Sequence, residues 1–174
     1  MFAVKASRYL THIRRLQEPA EPLARLMAAA TGLGPTLGPI LLQFPRRFRV
    51  DLERLDDFLG ALAPYAGTRF VFEFRHVSWL VGEVYARLAA HDAALCLPIG
   101  WGIPLDPRLT ASWTYLRFHG GEPGPSFSDA ELRPWAERIR GYLDGGADVY
   151  AYFNNDSQGA AIGDARRLRA MLTG

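Results

Sequence analysis

The stretch Phe70-Val-Phe-Glu-Phe-Arg-His76 alternates apolar and polar side chains over its second half. Residues two apart on a β-strand share a face, so Phe72 and Phe74 point one way. Glu73 and Arg75 point the other way. A strand that is buried on both faces has no structural need for such a polar ending. The stretch therefore predicts a strand with one apolar face and one face that turns polar at its carboxyl end.

Five further short apolar runs occur along the chain, and most of them also end in polar or reactive side chains. The runs are Phe2–Lys5, Ile40–Gln43, Ala94–Leu97, Tyr115–His119 and Val149–Asn155. Only the run that contains Cys96 ends without such a group, at Pro98. A parallel sheet that gathers reactive side chains at the carboxyl ends of its strands, here called the rim, explains this pattern.

Helix-forming segments lie between the runs. They are predicted at about residues 21–30, 51–62, 78–90, 128–143 and 159–172. Asp51 and Ser78 are residue types that cap helix amino termini, and Ser128 with Glu131 matches the capping box. Strands that alternate with helices predict a parallel sheet covered by helices, in six β/α units.

Two architectures fit this order, an open doubly wound sheet and a (β/α)₈ barrel. No G-x-G-x-x-G follows the first strand and no G-x-x-x-x-G-K occurs, which disfavours dinucleotide and P-loop nucleotide binding. A sheet covered on both sides would be apolar on both faces, whereas five of these runs have only one apolar face. In a barrel the outer face packs on helices and the inner face becomes a pocket at the top. The predicted fold is therefore an α/β, TIM-barrel-like single domain over residues 1–174.

Composition narrows the classes of function. The content of 49% hydrophobic and 22% charged residues is typical of a soluble globular protein. The chain has no membrane-spanning run and no signal-peptide pattern at its start, which predicts a cytoplasmic protein. The net charge of +2 disfavours nucleic acid as a partner. The single cysteine, Cys96, excludes an internal disulfide and is interpreted as a core residue.

The rim is predicted to carry more cations than carboxylates, which suits a small anionic molecule such as a carboxylate or a phosphorylated sugar. The predicted catalytic residues are Glu73, His119, Lys5 and His12. The predicted substrate-binding residues are Gln43, Arg75, Arg117, Tyr152, Asn154 and Asn155. Proton transfer would fall to the carboxyl or imidazole groups, because burial and neighbours can tune their pKa values toward neutrality. Lys5 is the only lysine among 20 basic residues, on a strand where an amine differs most from a guanidinium.

Several of these residues have structural alternatives. Glu73 and Arg75 could form a buried ion pair that holds the barrel together, and His76 could cap a loop. Trp79 and Trp101 could stack on a sugar or base, although packing beneath a loop is the commoner role. His12, Glu73 and His119 could converge as metal ligands, but no tight ligand spacing such as H-x-H or H-E-x-x-H occurs. Neither a metal nor a cofactor is therefore predicted.

Five ordered motifs carry a family resemblance. They are Phe2–Arg8 with Leu10-Thr11-His12, Leu37–Pro45, Phe72–Trp79, Tyr115–Gly120 and Tyr150–Asn155. Together they resemble the YecE-like family of unknown function, whose members adopt a TIM-barrel fold. The resemblance implies about two more β/α units before the Phe2 strand. The six units present would then form an incomplete barrel with exposed edges at its first and last strands.

Two classes of function remain open. One is an enzyme, a hydrolase, lyase or isomerase, that uses acid/base chemistry on a small anionic or sugar-like substrate. The other is a non-catalytic module that binds a metabolite or a nucleic-acid backbone. The barrel fold by itself favours neither, because this fold hosts many unrelated functions.

Overall fold

The computed structural model describes residues 1–100, 102–122 and 124–173. It contains one sheet of six parallel strands, β1 (Phe2–Lys5), β2 (Leu37–Gln43), β3 (Phe70–Glu73), β4 (Ala94–Ile99), β5 (Trp113–Phe118) and β6 (Asp148–Phe153). Their spatial order follows the chain, β1-β2-β3-β4-β5-β6. Right-handed crossovers that all advance in one direction place the helices on one side of the sheet. A doubly wound sheet reverses direction instead, so the predicted barrel-like fold is confirmed.

Five helices cover that side of the sheet. They are α1 (Ala20–Ala30), α2 (Leu52–Gly60), α3 (Gly82–Ala90), α4 (Asp129–Asp144) and α5 (Ala160–Thr173). Asp51 caps α2 and the Ser128–Glu131 capping box begins α4, as predicted. The predicted cap at Ser78 is wrong, because α3 begins only at Gly82 and has no side-chain cap. The Ser78 hydroxyl instead accepts a hydrogen bond from the backbone N–H of Val50.

The sheet curls into a partial barrel. Arg69, directly before β3, donates hydrogen bonds to Tyr150 and Asp148 on β6, each at 2.5 Å. In a flat sheet, strands three places apart would lie about 14 Å from each other. An arginine side chain cannot span that distance, so the strands must curve around a concave face.

The two faces of the sheet follow the predicted alternation. On the convex face Leu42 and Phe72 pack with residues of the covering helices, such as Leu55 and Phe58. The concave face has its own apolar cluster, formed by Leu41, Val71, Ala94, Cys96, Trp113 and Tyr115. Above this cluster, toward the carboxyl ends of the strands, the inward side chains become polar.

The middle and the edges of the sheet differ in burial. Every residue of β3, β4 and β5 is buried, whereas β1 and β6 are exposed or half-buried along their length. Phe2 on β1 is 61% exposed. In the part of the chain that the structure describes, no further strand pairs with the outer edge of β1 or β6. The predicted pair of open edges is therefore present.

The connection between β4 and β5 contains no helix over residues 102–112. Its first residue, Gly100, approaches the backbone that follows β5, because a Cβ atom at Gly100 would lie 2.5 Å from the carbonyl oxygen of Gly120. Gly100 also has φ of +101°, which disfavours other residues. Trp101, for which packing beneath a loop was favoured over stacking on a ligand, lies outside the described residues.

No helix among the described residues is both long and apolar enough to cross a membrane.

Candidate functional site

Glu73, the last residue of β3, is the centre of a polar cluster at the rim. Its Oε1 accepts hydrogen bonds from Gln43 Nε2 at 2.8 Å and from Arg75 Nε at 2.7 Å. Its Oε2 accepts one from Arg117 Nη1, and the Cys96 Sγ donates to the same oxygen at 3.9 Å. The side chain of Glu73 is fully buried, so these four donors replace its water shell.

Strand register and curvature assemble this cluster. Gln43 pairs with Glu73 across β2 and β3, which places their side chains next to each other on the concave face. Arg117 reaches Glu73 from β5, two strands away. The Nε of Arg117 also donates to Asn154 Oδ1, just beyond β6, at 3.0 Å. We call Gln43, Glu73, Arg75, Arg117 and Asn154 the rim cluster.

Glu73 is held in its ionised form. Burial by itself would raise the pKa of its carboxyl, but Arg117 and Arg75 lower that pKa below its ordinary value. Both oxygens already accept hydrogen bonds from charged or polar donors. Glu73 is therefore well suited to anchor two guanidinium groups and poorly suited to take a proton from a ligand.

Arg75 has donor capacity left over. Its Nε is used by Glu73, whereas its two terminal nitrogens have no hydrogen-bond partner among the described residues. The side chain of Arg75 is 21% exposed, compared with 10% for Arg117. Because terminal guanidinium nitrogens form a planar fork of donors, Arg75 can pair with the oxygens of a carboxylate or phosphate.

The lowered pKa values of the neighbouring basic groups indicate a positive environment. Burial and then Arg117 lower the pKa of Lys5, while Glu73 opposes this shift. Burial, Arg8 and Lys5 lower the pKa of His12. Burial and then Arg117 lower the pKa of His119 to about 4. At neutral pH both imidazoles are therefore neutral, and the charge of the rim is carried by its lysine and arginines.

His12 lies in a π-helical turn, Tyr9–Arg14, that directly follows β1. Its Nδ1 is 2.9 Å from the Thr11 hydroxyl, which in turn donates to the carbonyl oxygen of Ser7 at 3.1 Å. His12 is half-buried, whereas Thr11 is fully buried. The turn thus places a neutral imidazole at the carboxyl end of the first strand.

Tyr152 lies on the concave face beside Arg117 of the rim cluster. It pairs in register with Arg117 across β5 and β6, and its ring stacks on that of Tyr115 at 4.8 Å between centroids. Tyr152 is half-buried, and burial raises the pKa of its hydroxyl. Tyr152 therefore contacts the apolar cluster of the concave face and keeps part of its side chain exposed next to the rim cluster.

Asn155 does not join the rim cluster. Its Nδ2 donates to the carbonyl oxygen of Pro125 at 2.6 Å and to Asp164 of α5 at 2.7 Å. Asp164 is itself buried and also accepts hydrogen bonds from the Ser126 hydroxyl and the Phe127 backbone N–H. Asn155 therefore helps to hold the loop after β5 against α5, on the opposite side of β6 from the rim cluster.

His76 and Trp79 take the structural roles that were given as alternatives. His76 Nδ1 accepts a hydrogen bond from the Ser78 N–H and caps the short 3₁₀ turn Val77–Trp79. Trp79 is fully buried and stacks on Phe74 with ring centroids 4.2 Å apart. Its indole N–H donates to the carbonyl oxygen of Phe48.

Sequence reasoning missed two neighbours of the site. Cys96 is buried in the concave apolar cluster, as its interpretation as a core residue requires, but its contact with Glu73 was not foreseen. Burial raises the pKa of its thiol well above the ordinary value. The alternation of β4 places Cys96 on the inward face and could have revealed the contact. Arg8, three residues after Lys5, acts on His12 through its charge.

The described residues contain no group of three or more His, Cys, Asp or Glu side chains placed to hold a metal.

Comparison with known proteins identifies the family. The chain belongs to the DUF72 family, because the family model described as "Protein of unknown function DUF72" matches residues 1–174. The predicted resemblance to the YecE-like family is thereby confirmed. No curated protein matches the chain.

Solved structures of the same family have the same fold. A DUF72 family protein of Thermotoga maritima MSB8 is 25% identical and superimposes with a TM-score of 0.85, over 99% of this chain and 74% of that one. A DUF72 family protein of Enterococcus faecalis V583 is 17% identical, with a TM-score of 0.75 over 91% of this chain and 67% of that one. The six-stranded partial barrel thus corresponds to about three quarters of the Thermotoga protein.

Proposed function

We propose that this DUF72 chain binds a small anionic molecule, such as a carboxylate or a phosphorylated sugar, at the rim and acts on it by acid/base chemistry. The observation that carries the proposal is the charge balance of the site. Three cations, Lys5, Arg75 and Arg117, interact with the one carboxylate, Glu73, and the charge of Arg8 adds a fourth beside Lys5 and His12. Glu73 cannot neutralise all four, so the site has a positive surplus that an anion would balance.

Arg75 is the best candidate for direct contact with the anion. Glu73 fixes the orientation of its guanidinium through Nε, so less side-chain entropy is lost when a ligand binds. Its terminal nitrogens are then free to form two parallel hydrogen bonds with carboxylate or phosphate oxygens. Lys5, at the exposed end of β1, would add a point charge on the other side of the ligand.

Acid/base chemistry would fall to the imidazoles rather than to Glu73. His12 and His119 are neutral at pH 7 because their pKa values are lowered, and a neutral imidazole can accept a proton. The bound anion would raise both pKa values, since it adds negative charge near the rings. A hydrolase, lyase or isomerase that removes a proton next to the anionic group fits this arrangement.

A non-catalytic binding module is the second candidate. The observation that favours it is that Glu73, the carboxylate of the rim cluster, is fully occupied by its four donors. Such a module would hold the same small anion or a nucleic-acid backbone. An affinity for oligonucleotides would favour the nucleic-acid backbone as the ligand if that affinity falls steeply as the salt concentration rises.

The binding step is tested with an Arg75→Gln variant. Affinity for inorganic phosphate, glycolate and glycerol 3-phosphate is measured by NMR titration of wild type and variant. We expect the affinity for the preferred anion to fall at least tenfold, because charge-assisted hydrogen bonds contribute about 1.5–3 kcal/mol. Arg87→Gln is the matched control, since Arg87 pairs with Asp56 on the helical side of the sheet. Equal anion affinity in wild type and Arg75→Gln would contradict the proposal.

The chemical step is tested with a His12→Gln variant on whichever anion binds. An enzyme should lose turnover in this variant while it retains most of its affinity for the anion, because the arginines are unchanged. A binding module should show no turnover in either protein. Turnover that is unchanged in His12→Gln would exclude His12 as the catalytic group.

A further inference from the structure

The segment after β1 is held in an unusual backbone conformation. The π-helical turn Tyr9–Arg14 is followed by three non-glycine residues with positive φ, namely Arg15 at 48°, Leu16 at 73° and Glu18 at 45°. Such conformations are costly and are concentrated where a fold must hold a side chain in a set position. Leu16 is fully buried, which anchors the strained segment to the core. The side chain that this segment presents at the rim is His12.

A chain of two hydrogen bonds connects His12 to the backbone. The hydroxyl of Thr11 lies 3.1 Å from the Ser7 carbonyl oxygen and 2.9 Å from His12 Nδ1. A hydroxyl has one proton, and a carbonyl oxygen can only accept. The Thr11 proton therefore goes to Ser7, and the contact with His12 is a hydrogen bond only if Nδ1 carries a proton. The opposite arrangement would leave two acceptor oxygens in contact without a proton between them.

We infer that Thr11 is a positioning residue that fixes neutral His12 as its Nδ1–H tautomer and leaves Nε2 as a hydrogen-bond acceptor. Nε2 has no hydrogen-bond partner among the described residues. This inference rests on the proposed function and names its ligand more closely. Arg75 is close enough to His12 to act on it through its charge, so the acceptor and the arginine fork can serve one ligand, an anion that also carries a hydroxyl group near its charged end. An analogue without that hydroxyl would leave Nε2 unsatisfied.

The chain contains an internal reference for this assignment. His76 Nδ1 lies 3.2 Å from the Ser78 backbone N–H, a group that can only donate. His76 must therefore carry its proton on Nε2 when it is neutral. The two histidines are thus expected in opposite tautomers within one molecule, and the same spectrum reports both.

The tautomers are measured by long-range ¹H–¹⁵N correlation NMR on protein labelled with ¹⁵N-histidine, at a pH above 7. A His12→Gln variant assigns the His12 signals. We expect the Nδ1 of His12 to have the shift of a protonated nitrogen and its Nε2 that of an unprotonated one. In Thr11→Val the proton should move mainly to Nε2, whereas Thr11→Ser should keep it on Nδ1. The His76 pattern should be the same in all variants and confirms that each is folded.

Two results would overturn the inference about Thr11. One is a wild-type His12 that carries its proton on Nε2, and the other is a Thr11→Val spectrum in which His12 remains protonated on Nδ1. Neither result depends on ligand binding. The tautomer can therefore be assigned even if the proposed function fails.

The ligand class is measured with a matched pair of phosphates. Glycerol 3-phosphate and monopropyl phosphate share their charged group, but only the first carries hydroxyls. We expect wild type to prefer glycerol 3-phosphate by about threefold to tenfold, the contribution of one neutral hydrogen bond, and Thr11→Val to lose that preference. Equal affinity of wild type for both compounds would overturn the assignment of a hydroxyl-bearing ligand. Absence of binding by either phosphate would count against the proposed function itself.

Discussion

The concave face has an arginine–carboxylate cluster at each end, and the two clusters are built differently. At the rim, one fully buried carboxylate, Glu73, holds Arg75 and Arg117. At the amino-terminal end, Arg69 pairs with Asp148, and the two side chains are 34% and 66% exposed. We call the second set, with Tyr150 and Trp113, the basal cluster. At the rim, Arg117 of β5 reaches Glu73 of β3. In the basal cluster, Arg69 before β3 reaches Asp148 of β6. Each ion pair therefore joins strands that only a curved sheet brings together.

The difference between them lies in charge balance. In the basal cluster one guanidinium meets one carboxylate, and its remaining capacity goes to the Tyr150 hydroxyl and to the rings of Trp113 and Tyr150. In the rim cluster two guanidiniums share one carboxylate, so donors are left over. Closing the curve of the sheet requires only a matched pair. The surplus at the rim therefore points to a ligand, whereas the basal cluster has the composition of a structural tie.

The largest effect is expected from Glu73→Gln. The amide presents an NH₂ donor where the carboxylate could only accept. It also leaves the buried guanidinium of Arg117 and the half-buried one of Arg75 without a counter-charge. Breaking a buried ion pair in this way costs about 3–5 kcal/mol of unfolding free energy, measured by urea denaturation. The double variant Glu73→Gln/Arg117→Met should lose less than the sum of the single changes, because the partners are coupled. If Glu73→Gln loses less than about 1 kcal/mol of unfolding free energy, the rim cluster contributes no more to stability than an exposed ion pair such as the basal one.

A smaller effect is expected from pH, through His119. Its pKa is lowered from 6.5 to about 4 in the folded chain, so between these values the unfolded chain binds a proton that the folded chain does not. Stability therefore falls as the pH decreases from about 6.5 to about 4, by roughly 1–2 kcal/mol once partial exposure is discounted. Urea midpoints at pH 7, 6 and 5 measure this slope. His119→Gln should reduce this slope, and His12, whose pKa is also lowered, contributes to the part that remains. An unchanged slope in that variant would show that groups other than His119 cause it.

The smallest effect is expected from Arg69→Met in the basal cluster. Its ion pair is partly exposed, and such pairs contribute about 1 kcal/mol or less, with a similar contribution from the aromatic contacts. The affinity for anions at the rim should not change, because Arg69 lies at the other end of the strands. If Arg69→Met loses as much unfolding free energy as Glu73→Gln, or weakens anion binding, the basal cluster is not merely a structural tie.

Much of the rim could be predicted from local pattern. Period-two alternation and the shared direction of parallel strands were enough to bring Gln43, Glu73 and Arg117 to one place. Asn155 was placed at the rim against this alternation, which puts it on the same face as Phe153, and it contacts Asp164 of α5 there. Its partner Asp164 belongs to a different element, and nothing in the local sequence around Asn155 announces that contact.

The basal cluster and the β3–α3 connection could not be predicted in this way. Arg69 and Asp148 lie 79 positions apart, and their contact depends on how strongly the sheet curls, which no strand encodes alone. Ser78 has the side chain of a helix cap, but its hydroxyl accepts a hydrogen bond from the Val50 backbone N–H, 28 positions away. In both cases tertiary geometry, rather than residue preference, decides the outcome.

The close approach of Gly100 to Gly120 limits where this scaffold can diversify. Any side chain at Gly100 would push the two backbones apart and disturb the segment that carries His119. The corner between β4 and β5 should be left as it is in any redesign of the molecule.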